Sequence, residues 1–485
     1  MSDVKIGSLT NVQRFTRVCA SVAPYVPEAA AFVCEYFKNL ELSLKIKTVF
    51  CALGAAALLS TFHSSVLAQQ SVVPIDSAVR TSFDAISSDP RVTSALTRIE
   101  AREAEMIREQ FRLTEIPAPP FKEEVRAAYY LTLMQDRGLE DAYIDSEGNA
   151  IGIRRGNGDG PTLLIAAHLD TVFPEGVDTS IELRGGRYYA PGIGDDTRGL
   201  AAMLSIIETL NNSGIQTHGD IIFAANVGEE GRGDLRGIKA IFRDHPEIDG
   251  FVSIDGVRLR RITTGGTGSR RFEFRFSGPG GHSFGAFGLA SAIHAMGRAI
   301  NKIADLETPS FPKTTFTVGT VAGGTSVNSI AADAVFALDM RSNDREQLAL
   351  LEERAKAAAL EAVNEENARW RNGEISVDFV LIGDRPVGRT ATEESLVQAA
   401  ALAFDKLGIE LQQLSISSTD SNVPMSMGIP AITIAGGGNG GGAHSPDEWF
   451  VPTNSHEGPQ TSFLIILAMV GIQGVDTGLL EQRSR

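Results

Sequence analysis

Cysteine is almost missing from this chain: its three thiols, Cys19, Cys34 and Cys51, all fall within the first 51 of 485 residues. Everything beyond them lacks both a disulfide framework and thiolate ligands, so a metal bound there is expected to use oxygen and nitrogen. No basic stretch is interleaved with aromatic residues, and 44 basic against 60 acidic residues leave a net charge of −16. That balance disfavours polyanionic partners, and no nucleic-acid partner is expected. Long apolar runs are also lacking. Val49 to Leu59 is uninterrupted but too short to cross a bilayer as a helix, so no stable membrane span is expected. The glycine tract from Gly436 to Gly442, broken only by Asn439, has no lysine and opens no obvious helix. It fails as a phosphate-binding loop, and it suits a segment whose backbone passes close to a ligand.

What is present begins with an export-like segment. Lys45 and Lys47 precede the apolar run, and Val66-Leu67-Ala68 offers a small-residue cleavage site before Gln69. Cleavage near Ala68 is expected, giving a periplasmic or secreted protein without cysteine. The length exceeds what one hydrophobic core usually serves, so more than one domain is expected.

The pattern is helical from Ser77 to Arg137, interrupted by the rigid Ile116-Pro-Ala-Pro-Pro120 loop. Strands and helices then alternate. Thr162 to Ala167 is continuously apolar, as a parallel strand buried on both faces requires. Leu200, Met203, Leu204, Ile207 and Leu210 recur at helical spacing behind Asp195 and Asp196, with Gly214 past the end. Apolar strands follow at Ile221 to Ala225 and Gly250 to Ile254.

From about Thr263 to Leu381 the order reads strand, helix, strand, strand, helix, strand, which is a ferredoxin-like βαββαβ unit. A helix from Ala391, opened by Thr390 and Glu393 as a capping box, and a strand from Ala431 resume the earlier rhythm. The expected fold class is α/β: a mostly parallel catalytic sheet carrying an inserted lid or dimerisation domain. The expected divisions are 1–68 (the signal), 69–262 and 382–485 (the catalytic domain) and 263–381 (the insert).

Polar residues cluster where the apolar strands end. His168 and Asp170 sit two apart at a strand end, so both point to one side and the carboxylate can orient the imidazole. Asp195 and Asp196 open a helix, where plain N-capping is an equal reading. Glu229 and Glu230 lie in a glycine-flanked turn, and two adjacent acids repel unless a cation or a proton compensates. Asp255 ends a further strand, and His444 follows the glycine tract. In such a sheet the carboxyl ends of the strands converge on one crevice.

The segments Ala167-His-Leu-Asp-Thr-Val172, Gly192-Ile-Gly-Asp-Asp-Thr-Arg-Gly199, Gly228-Glu-Glu-Gly231, Gly280-Gly-His-Ser283 and the one around His444 resemble the M20 family of zinc metallopeptidases, whose members include peptidase T, carboxypeptidase G2, succinyl-diaminopimelate desuccinylase and the aminoacylases. The resemblance covers about Ile116 to Ile472. It implies two Zn²⁺ ions, with Co²⁺ or Mn²⁺ as substitutes, bridged by Asp195. His168 and Asp255 would complete one ion and Glu230 and His444 the other. Glu229 would be the general base beside Asp170. His282 would reach the active site of a neighbouring subunit in a homodimer, and Asn328 and Arg341 would bind polar or carboxylate groups of the substrate. Charge supports the ligand set, since four positive charges meet Asp195, Glu230, Asp255 and one hydroxide.

Two departures stand out. Many relatives have Asp-x-Lys-Gly where this chain has Asp196-Thr197-Arg198-Gly199, and the arginine that precedes a Thr-Asp segment in peptidase T is replaced by Ser417-Ser418 ahead of Thr419-Asp420. A strict tripeptide aminopeptidase is therefore not implied. The expected activity is hydrolysis of an amide bond in a small peptide or an N-acyl amino acid. The alternatives are a carbamoyl or acyl-amide amidohydrolase, and a metal-dependent peptide-binding protein without turnover.

Overall fold

Thr162–His168 is buried along its whole length, and its side chains divide by alternation between two cores. Leu163, Ile165 and Ala167 join one cluster, while Leu164 and Ala166 join another on the opposite face. A strand walled on both sides has no polar face to show, which is why it reads as a single apolar run. The computed structural model describes residues 73–484 apart from positions 140, 371 and 373. The export-like segment ending near Ala68 lies outside the described residues. Among them, no helix is long and apolar enough to cross a membrane.

Thr162–His168 sits inside a nine-stranded sheet between Asp220–Asn226 and Ile248–Ile254, and Ala431–Ile434 follows on the far side of Ile248–Ile254. These four central strands are all parallel. Antiparallel pairing appears towards the flanks, where Ala150–Arg154 meets Asp220–Asn226 and Arg261–Gly266 meets Ala431–Ile434. Helix Thr197–Asn212 covers one face together with Glu457–Val470, and Arg236–Asp244 covers the other. Asp196 caps Thr197–Asn212, its side chain accepting from the Gly199 N–H at 3.1 Å, and Gly214 follows the helix with φ +68°.

The expected capping box at Thr390 does not form. The helix there is Ser395–Lys406 with Glu394 at its N-cap and no side-chain cap bond. The Thr390 hydroxyl instead donates to the Ala431 carbonyl at 2.6 Å and accepts from the Ala431 N–H. Pairing with a central strand outcompetes the local cap.

A second sheet of four antiparallel strands orders Thr314–Gly323, Asp333–Ser342, Gly268–Ser277 and Ser376–Arg385. Helices Ala292–Ala304 and Arg345–Trp370 join its core. In chain order these elements run strand, helix, strand, strand, helix, strand, as the sequence pattern predicts, with the short pair Gly281–His282 and Ser329–Ile330 between them. Alternation again sorts the side chains. Phe272, Phe274 and Phe276 join the core, where Phe274 stacks on Phe336 with ring centroids 4.6 Å apart. Arg271 therefore falls on the opposite face, directly across from Asp339, with Arg341 two residues further on.

Candidate metal and catalytic centre

His168, Asn226, Ile254 and Ile434 end the four parallel strands at one edge of the sheet, where a cavity of about 380 Å³ opens. Asp195, Glu229, Glu230, Asp255 and His444 line it, with Arg341 on the wall contributed by the small sheet. Nε2 of His168 lies 3.0 Å from one oxygen of Asp195, and Nε2 of His444 lies 3.2 Å from the other. His444 also meets Glu230 at 2.9 Å. Ligand atoms of His168, Asp195 and Glu230 fall within 4.8 Å of one another. One carboxylate thus joins two imidazoles that are 276 positions apart in the chain.

Supporting contacts hold each of these side chains. The carbonyl of Asp170, 2.9 Å from Nδ1 of His168, fixes that ring. The Asp170 carboxylate was expected to orient the imidazole, but its nearer oxygen is 3.7 Å from the ring nitrogen. Its oxygens instead accept the Glu229 N–H at 3.0 Å and the Glu230 N–H at 2.8 Å. Two backbone donors from one turn satisfy a buried carboxylate better than one distant ring nitrogen. Asp170 therefore fixes the acidic turn with its carboxylate and the first histidine with its backbone.

Three buried groups were given no role from the sequence. Arg385, ending the last strand of the small sheet, donates to the Glu229 carbonyl and lies 3.3 Å from its carboxylate. Arg198, in the Asp196-Thr197-Arg198-Gly199 segment, is fully buried. It donates to the Gly436 carbonyl at 2.7 Å and the Ser455 carbonyl at 2.6 Å, anchoring the glycine tract that leads to His444. Burial pulls its pKa down to about 9.

Glu448, four residues past His444, accepts the N–H groups of Gly192, Gly194 and Asp195 at 2.9, 2.8 and 2.9 Å. It ties the loop bearing one ligand candidate to the loop bearing another. No local pattern distinguishes Arg385. Glu448 did lie within the His444 segment, where its spacing could have raised the question. Glu448→Gln keeps the shape but offers N–H donors to N–H donors. It is expected to weaken divalent-metal affinity by roughly 10- to 100-fold, as loss of a supporting contact does. Metal titration checks this, and unchanged affinity would show that the loop stands without it.

His282 and Asn328 are exposed and do not line the cavity. They are neighbours at the separate two-stranded pair Gly281–His282 and Ser329–Ile330, where the Ser283 N–H donates to the Asn328 carbonyl at 2.9 Å.

The acids are strongly perturbed. Burial, then the Asp195 charge, pushes Asp255 up to about 7. Burial pushes Glu229 well above the usual range, with Arg385 opposing and Glu230 adding. Hydrogen bonds to Asp195 and Glu230 raise His444 to about 10. A cluster of carboxylates with one buried and one exposed imidazole and no sulfur suits a divalent ion of the zinc type, which would supply the charge these acids need.

Asp255 and His444 both hold protons in the fold at pH values where they would lose them on unfolding. The folded state therefore binds more protons between about pH 4 and about pH 10, and metal-free protein loses stability as pH rises through that window. Ligation needs both groups deprotonated, so metal stabilises more at the alkaline end. The difference in Tm between metal-loaded and chelator-treated protein is expected to widen from about pH 5.5 to about pH 8. Thermal scans at the two pH values check it, and a constant difference would contradict the ligand assignment.

Against known proteins, residues 164–467 match the model of Peptidase family M20/M25/M40. Carboxypeptidase G2 of Pseudomonas sp. is 25% identical over 302 residues, 59% of this chain and 69% of that protein. A Pyrococcus abyssi protein named as a LysW-lysine/LysW-ornithine hydrolase is 33% identical over 162 residues, 33% of this chain. The match spans 43% of that relative's own length. Among solved structures, the aminopeptidase PepT of Bacillus cereus superposes with a TM-score of 0.60 at 22% identity, over 75% of this chain and 98% of that one.

Proposed function

Because this chain belongs to peptidase family M20/M25/M40, we propose that it is a dizinc hydrolase that cleaves an amide bond in a small peptide or an N-acyl amino acid. The observation that carries the reading is the Asp195 carboxylate, paired through its two oxygens with His168 and His444. In this reading Asp195 would serve both ions, with His168 and Asp255 holding one and Glu230 and His444 holding the other. Bound there, the ions would lower the pKa of water and polarise the substrate carbonyl.

The chain's own groups do the rest. Glu229 sits one residue from a ligand and is aimed by the Asp170 carboxylate and by Arg385. It takes the proton of the attacking water and delivers one to the leaving nitrogen. The Arg385 guanidinium and nearby cations favour the ionised form that a base needs, against the burial that opposes it. Arg341 offers a planar donor fork to a substrate carboxylate.

The same proposal includes export and a homodimer in which His282 of one protomer serves the site of its partner. The surface around His282 supports the second part, since Phe284 and Phe287 are 90% and 76% exposed and Val327 is fully so. Such a patch favours a protein partner. Mass-spectrometric profiling of cleavage from a mixed library of dipeptides, tripeptides and acylated amino acids tests the reaction. Cleavage of at least one amide by zinc-loaded protein is expected, and binding without cleavage of any would leave the peptide-binding alternative. N-terminal sequencing of the exported protein and sedimentation test the other two parts.

A further inference from the structure

Four guanidinium groups line the cavity, those of Arg261, Arg271, Arg341 and Arg385, and they are unequally satisfied, Arg385 being taken by Glu229. Arg271 is occupied, donating to Asp339 at 2.8 Å and to the Gly231 carbonyl at 2.7 Å. Arg341 gives only its Nε to the other oxygen of the same Asp339, leaving its terminal nitrogens without a hydrogen bond among the described residues. Arg261 opens the strand Arg261–Gly266 of the large sheet and lines the cavity with no hydrogen-bond or ion-pair partner among the described residues. Thr263, two residues on and so on the same face of that strand, lines it too. Apart from Arg385, the three arginines of the wall thus have Asp339 between them as their one carboxylate partner among the described residues, with one open fork on each of the two sheets.

The rest of the wall is polar as well. Ser417, Ser418, Thr419 and Thr433 present hydroxyl-bearing residues, whereas among the described residues Val172, Ile434 and Ala435 are the only apolar side chains lining the cavity. An apolar substrate side chain would find little to pack against there, and the Arg261 guanidinium and the terminal nitrogens of Arg341 would stay without a partner. Guanidinium matches carboxylate through paired N–H donors.

We propose that the substrate carries two anionic groups, a terminal carboxylate held by Arg341 and a second acid, as in a glutamyl or aspartyl residue, read by Arg261. This rests on the hydrolase reading above and names its substrate class.

The test uses zinc-loaded full-length protein and isothermal titration with two neutral–acidic pairs, N-acetylglutamate against N-acetylglutamine and glycylglutamate against glycylglutamine. The members of each pair differ almost solely in charge. In at least one pair the acid is expected to bind about tenfold tighter or more, as a charge-assisted contact predicts, with the preference shrinking as salt is added. Arg261→Gln is expected to weaken the acid by about that factor and the amide by much less, and Arg261→Lys to restore part of the preference. Equal affinity within both pairs would overturn the proposal, as would an Arg261→Gln protein that loses acid and amide alike. Acid-selective binding without cleavage would sustain the charge reading while the hydrolytic one fails, so the two are separable.

Discussion

Glu229→Gln is expected to lower kcat by roughly 10²- to 10⁴-fold, the usual contribution of a positioned acid–base group, while the protein still binds two metal ions. The reasoning is geometric. Glu230, not Glu229, reaches His444, at 2.9 Å, whereas the Glu229 carboxylate faces Arg385 at 3.3 Å. Its backbone N–H is fixed by Asp170, so an amide side chain can occupy the same place without moving the turn. What glutamine cannot do is accept a proton from water and return it. Metal analysis beside steady-state kinetics checks the prediction. If the variant emerges with fewer than two ions, Glu229 is a ligand and the base must be sought elsewhere.

Asp195→Asn is expected to have the opposite signature, stripping metal as well as activity. Each oxygen of this carboxylate meets a different histidine, so the substitution weakens both halves of the proposed site at once. Loss of a mere supporting contact costs roughly 10- to 100-fold in metal affinity, and the shared ligand should cost more than that at both ions. Dialysis followed by elemental analysis should find well under one ion per chain, and the rise in Tm expected on adding zinc should largely vanish by mass action. Retention of two tightly held ions would remove Asp195 from the bridging position.

These two outcomes also separate positions that look alike in one dimension. Glu229 and Glu230 are neighbours with identical chemistry, and sequence spacing cannot tell which of them meets the histidine. The difference arises because Asp170 accepts both of their backbone N–H groups and so sets the direction of the turn. The expectation for Asp170 itself was partly wrong for a related reason. Its distance from His168 in the chain suggested a carboxylate–imidazole pair, but a turn 59 residues away competed for the carboxylate and took it.

Thr390 shows the same rule at the level of secondary structure. Thr390 and Glu393 satisfy a local capping pattern, yet the hydroxyl is spent on Ala431, 41 residues further along. Local signals hold where nothing remote competes, as at Asp196, which caps its helix as its position suggests.

The parallel sheet, the order of elements in the smaller one and the gathering of His168, Asp195, Glu230, Asp255 and His444 were legible in the amino-acid order alone. Burial on both faces leaves an unbroken apolar run, burial on one face leaves alternation, and parallel strands must end together on one edge. Only the tertiary structure decided that Arg385 reaches Glu229, that Glu448 holds the Asp195 loop, that Arg198 anchors the glycine tract, and that the Arg261 side chain is left without a partner among the described residues. Each of these depends on side chains meeting across long stretches of chain, or failing to meet. Periodicity describes which way a residue faces, whereas partnership is settled by which surfaces the folded chain brings within about 3 Å of each other.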